Sequence, residues 1–83
     1  MSKAATAEKA PSLKQLDAAI KRAAAEMTKA KPESDLYVKA RQAKDKAAMD
    51  KHRSGRQAHE RAEAKRRELR KQRASLYPEA PKL

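Results

Sequence analysis

Residues 12–31 read SLKQLDAAIKRAAAEMTKAK, and the apolar side chains in them fall on one line. Leu13, Leu16, Ile20, Ala23, Met27 and Ala30 follow one another at alternating steps of three and four. That is the a/d seam of a heptad pattern, with Lys14, Gln15, Asp17, Lys21, Arg22 and Glu26 off the seam. Ser12 is a good N-cap, and Lys31-Pro32 is a stop signal, because the residue before proline is pushed out of the helical region. The pattern predicts a helix over 12–31.

Downstream, Pro32-Glu33-Ser34 reads as a short turn whose serine caps a second helix. Leu36, Ala40, Ala43 and Ala47 continue a seam at steps of four, three and four, after which Asp50 and Ser54 spoil it. Tyr37, Val38 and Met49 broaden the apolar face slightly. A short turn between two helices of about 20 residues implies an antiparallel hairpin roughly 30 Å long. Ser54-Gly55 marks a break or a weak point, since an interior glycine costs about 1 kcal/mol relative to alanine. Residues 56–77 form a third helical stretch, thin in apolar residues and ended by Tyr77-Pro78. If Gly55 does not interrupt the chain, the second and third stretches make one rod of about 43 residues. The expected fold class is therefore all-α: a flexible tail at 1–11, a helical hairpin at 12–54, a basic helix at 55–77 and an extended Pro-containing tail at 78–83.

Composition agrees with long helices and excludes much else. Ala, Glu, Lys, Leu and Arg make up 54 of the 83 residues. The hydrophobic fraction is 39%, yet nineteen of those residues are alanine and only thirteen are larger. So little bulky apolar surface leaves no room for a compact enzyme with a pocket, and two helices alone bury too little. A second copy, another protein or nucleic acid is expected to complete the fold, with Leu13, Leu16, Ile20, Met27, Leu36, Ala40, Ala43 and Ala47 as its seam.

The net charge of +11 favours polyanionic partners and opposes self-compaction. Cysteine is absent, which excludes disulfides, thiolate catalysis and Cys-based zinc sites. No apolar run exceeds four residues, so neither a membrane span nor a signal-peptide core is expected. Pro81-Lys82-Leu83 has only a chance-level likeness to the peroxisomal tripeptide. The expected setting is intracellular or inside a viral particle.

The charge differs in kind along the chain. Residues 1–50 hold nine Lys and two Arg against seven acids, whereas residues 51–83 hold seven Arg and four Lys against four. The density peaks at Lys65-Arg66-Arg67-Glu68-Leu69-Arg70-Lys71-Gln72-Arg73. On a helix, Arg66, Arg70 and Arg73 share one face, flanked by Arg67 and Lys71. Arginine offers a planar fork of donors that grips phosphate bidentately and stacks on bases, which lysine cannot do. A helix of this kind fits the groove of RNA opened by bulges or loops, or the major groove of DNA. In composition alone, the stretch resembles the arginine-rich helices of small RNA-binding peptides over about a dozen residues. Arg53, Arg56, Arg61, Lys65, Arg66, Arg67, Arg70, Lys71 and Arg73 are the expected nucleic-acid contacts, with RNA ahead of DNA.

Other chemistry finds little support. With no Phe or Trp and only Tyr37 and Tyr77, base-stacking sheets and barrels are excluded. His59-Glu60-Arg61-Ala62-Glu63 has a superficial likeness to a zinc-protease helix, but Glu63 replaces the second histidine. His52 lies about 10 Å further along the axis, too far to share a metal. No catalytic set, metal, cofactor, small-molecule substrate or membrane partner is expected. The rival expectations are an adaptor within a ribonucleoprotein or virion, and a small inhibitor laid on an acidic protein surface.

Overall fold

The computed structural model describes residues 10–83, so most of the tail expected at 1–11 lies outside the described residues. Two helices, α1 (Leu13–Gln42) and α2 (Lys46–Leu76), pack side by side as an antiparallel hairpin. The particle is about 53 Å long and 15 Å in its thinnest direction, so it has an interface rather than an interior. Among the described residues, no helix is long and apolar enough to cross a membrane.

α1 begins where the Ser12 signal places it. The Ser12 hydroxyl accepts from the Gln15 backbone N–H at 3.1 Å, and the Gln15 side chain accepts from the Ser12 N–H at 2.9 Å. This reciprocal pair satisfies two donors that the first turn would otherwise leave open.

α1 does not stop at Lys31. It runs through Pro32, which is exposed and costs the helix one backbone hydrogen bond and about 3 kcal/mol. Packing beyond the proline offsets that cost. Ser34 is 3% exposed and Ala40 6%, both against α2, and Tyr37 and Val38 are half-buried. Ser34 is therefore no cap: its hydroxyl sits in the helix interface and accepts from Arg56 Nη1 at 3.0 Å.

The turn falls at Ala43–Asp45, eleven residues after the expected one. Lys44 takes a left-handed conformation with φ 57°. The Lys44 N–H donates to the Arg41 carbonyl at 3.1 Å, and the Asp45 N–H to the Ala40 carbonyl at 2.9 Å. This pair of bonds closes the C-terminal end of α1. The Asp45 side chain then accepts from the Ala48 N–H at 3.2 Å, capping α2. One residue ends the first helix and starts the second.

Gly55 does not break α2. It marks a close approach of the two helices, since a Cβ there would lie 2.2 Å from Glu33 Cβ. The continuous rod thus runs through Gly55, but from residue 46 and over 31 residues. The expected all-α antiparallel hairpin is present, with the basic helix continuous with its second arm; what changes is the position of the turn, so the hairpin spans 13–76 rather than 12–54.

Moving the turn rearranges the seam. Leu16 and Ile20 are 2% and 4% exposed and form the core with Ala23, Ala40 and Ala62. Leu13 and Met27 are half-buried. Leu36, Ala43 and Ala47 are exposed, because Leu36 continues α1, Ala43 enters the turn and Ala47 opens α2. They never face the first seam as a second helix would.

A polar clasp closes the open end. Arg73 is buried, with Nε donating to Asp17 Oδ1 and Nη2 to the Pro81 carbonyl, both at 2.5 Å. The Tyr77 hydroxyl donates to the Pro11 carbonyl at 2.8 Å. The Ala80 N–H donates to the Tyr77 carbonyl at 3.1 Å, so the tail expected to be extended turns back toward α2 at Pro78–Glu79.

Candidate nucleic-acid interface

Basic residues are placed by α2, which carries eleven Lys and Arg against four acids, where α1 carries seven against four. The hairpin turns one side of α2 onto α1 and leaves the rest to solvent. It also sorts the nine expected contacts into two groups.

The first group is neutralised or enclosed. Arg53 Nη1 donates to Asp50 Oδ1 at 2.6 Å, and that hydrogen bond, with the carboxylate's charge, raises the arginine pKa above its ordinary value. Arg56 pairs with Glu60 at 3.2 Å while donating to Ser34. Lys71 is the exception in this group: it approaches Glu68 at 3.9 Å with both groups largely in solvent, a contact worth little, so its charge stays available beside the second group. Arg73, expected on the binding face with Arg66 and Arg70, instead points inward to Asp17.

The second group is Arg61, Lys65, Arg66, Arg67 and Arg70, none of which has an acidic partner within 4 Å among the described residues. Arg66, Arg67, Arg70 and Lys71 line one shallow depression with Glu63 and Ala74. Arg61 and Lys65 sit on the opposite flank of α2, along a groove shared with Glu26 and Lys29 of α1. Guanidinium groups gathered within about one helical turn match a sugar-phosphate backbone better than a flat neutral surface does. The exposed alanines flanking the row, Ala64 and Ala74, leave the approach open.

Two features escaped sequence reasoning. Arg66 also lines a second groove, between the helices, together with Lys31 and His59. His59, which carries no metal-site signal in the sequence, is half-buried, and its Nδ1 is closed off without a hydrogen-bond partner. Only the pairing of α1 with α2 could have revealed this, since Lys31 and His59 have no relation in the linear pattern. Among the described residues, no group of three or more His, Asp or Glu side chains is placed to hold a metal ion. No protein-family model, curated protein or solved structure matches this chain, so the reading of the interface rests on its geometry.

Proposed function

We propose that this protein is a non-enzymatic nucleic-acid-binding hairpin that grips the phosphate backbone of structured RNA, in preference to DNA, along the outer side of α2. The observation that carries the reading is the row Arg66, Arg67 and Arg70, exposed or half-exposed, adjacent and without acidic partners among the described residues. Arginine in that row favours the bidentate, stacking contacts that irregular RNA offers. Such a role fits the inside of a cell or a virion.

The test is a titration of an RNA hairpin and a matched DNA duplex at two salt concentrations, with wild type and a variant carrying Arg66→Gln, Arg67→Gln, Arg70→Gln and Lys71→Gln. Arg73 is left intact because it holds the fold. Release of about five counterions lowers wild-type affinity roughly 10²–10³-fold between 50 and 200 mM salt. The variant should keep its helicity, since glutamine is an adequate helix former, and lose nearly all binding. Affinity indifferent to salt, or unchanged in the variant, rejects the phosphate mechanism.

A second reading has its own observation. Leu36 and Leu76 remain 43% and 42% exposed at opposite ends of the hairpin, where each would serve as a separate apolar anchor on an adaptor that packs against another protein in a larger assembly. Retention in a native particle by the glutamine variant, with loss of a Leu36→Ser, Leu76→Ser variant, would favour that reading.

A further inference from the structure

The two helices leave a groove on each flank, and the two grooves differ in charge. One holds Glu26 beside Lys29, Arg61 and Lys65 over a floor of alanines. The other, of about 290 Å³, is lined by Ala24, Met27, Thr28 and Lys31 of α1 and by His59 and Arg66 of α2, with no carboxylate in its lining. It is too small for a drug-sized ligand and large enough for a phosphate group with part of its sugar.

The donors of this groove are unequal. Thr28 Oγ1 already donates to the Ala24 carbonyl at 3.1 Å, so its proton is committed. Lys31 has one partner, Asp35, at 3.4 Å, in a pair that is 65% and 58% exposed and therefore weakly held. Arg66 has no acidic partner among the described residues. His59 contributes through its tautomer. Its Nδ1 is closed off without a partner, so a proton there would be a buried donor with no acceptor. The proton therefore belongs on Nε2, which is not among the closed-off atoms, and Nε2–H is left as a donor on the accessible edge of the ring. Two cations, one of them loosely paired with Asp35, and an imidazole N–H donor, drawn from two different helices, then line one recess.

We infer that this groove is a seat for one phosphate group of the bound RNA backbone, held by Lys31 from α1 and by His59 Nε2–H and Arg66 from α2. The inference rests on the RNA-binding reading above and adds a residue pair and a second helix to it. Arg66 lines both this groove and the depression with Arg67, Arg70 and Lys71, so one strand can pass from the seat onto the outer row without leaving basic surface. A phosphate fixed between the helices would set the register of the RNA on α2, as backbone contacts do.

The experiment uses the full chain, with the His59 ring signals followed by NMR while an RNA hairpin or inorganic phosphate is added. Lys31→Gln and His59→Phe are compared with Lys29→Gln, which removes the same charge from the other groove, and circular dichroism checks that each variant folds. RNA should move the His59 signals, and Lys31→Gln and His59→Phe should each weaken RNA binding roughly tenfold. Lys29→Gln should cost about twofold or less. Equal losses for Lys31→Gln and Lys29→Gln with a still His59 ring would overturn the seat while leaving RNA binding by the outer row intact. If wild type binds no RNA, the RNA-binding reading fails separately. In that case His59 signals moved by inorganic phosphate, and not in Lys31→Gln, would uphold a phosphate seat and reject RNA as its source. Signals that phosphate does not move would overturn the seat itself.

Discussion

The two ends of the hairpin are held by opposite means. At the turn end the chain itself keeps the helices together, and the buried contacts are made by small residues, Ser34, Ala40 and the bare backbone of Gly55, with Tyr37 and Val38 only half-buried beside them. Around them, Arg56 donates to Ser34, and His52 Nδ1 lies 2.7 Å from Glu33 Oε1. At the open end no covalent link helps, and the molecule places its two largest buried aliphatics there, Leu16 and Ile20, beneath the Arg73–Asp17 and Tyr77–Pro11 contacts. Close approach suffices where the backbone already enforces proximity. Where it does not, bulk and directional hydrogen bonds are required.

The largest effect is expected from breaking the clasp. Arg73→Ala strands a partly buried Asp17 carboxylate and the Pro81 carbonyl, and should cost about 3 kcal/mol, seen as a lower urea midpoint. A loss below about 1 kcal/mol would mean that the apolar pair alone holds the open end. Gly55→Ala probes the other end. On an exposed helix the change would gain stability, but here the new methyl meets Glu33 Cβ, so we expect a loss of about 1–2 kcal/mol by thermal melting. A gain would show that the helices do not touch at Gly55. The smallest effect is a sharpening: Lys44→Gly relieves a left-handed residue and should add about 1 kcal/mol without altering helicity.

The sequence reveals the helices and their outer ends better than their junction. Ser12 and the Leu13, Leu16, Ile20 line mark the first helix and its inner face, and Tyr77-Pro78 marks the end of the second. The turn is not legible, because Ala43-Lys44-Asp45 contains neither glycine nor proline and its left-handed residue is a lysine. The two residues that usually punctuate a chain, Pro32 and Gly55, instead lie within helices. One is tolerated on the solvent side, and the other is required where the backbones meet. The basic row was visible as composition, but which arginines face water depended on the pairing. Arg73 lies one helical turn beyond Arg70 and yet belongs to the fold, since Asp17 is 56 residues away in sequence.

The shared cap at Asp45 has a consequence for the order in which the molecule assembles. Contacts near the turn join residues 19 and 22 apart, Glu33 to His52 and Ser34 to Arg56, whereas the clasp joins residues 56 and 66 apart. Closing the short loops first spares the chain the larger entropy of the long ones, so pairing advances like a zipper from the turn outward. The open end is then the last region to protect its amides from solvent exchange and the first to release them. The basic row on α2 straddles this gradient, with Arg61 nearer the early, persistent part and Arg70 nearer the part that breathes.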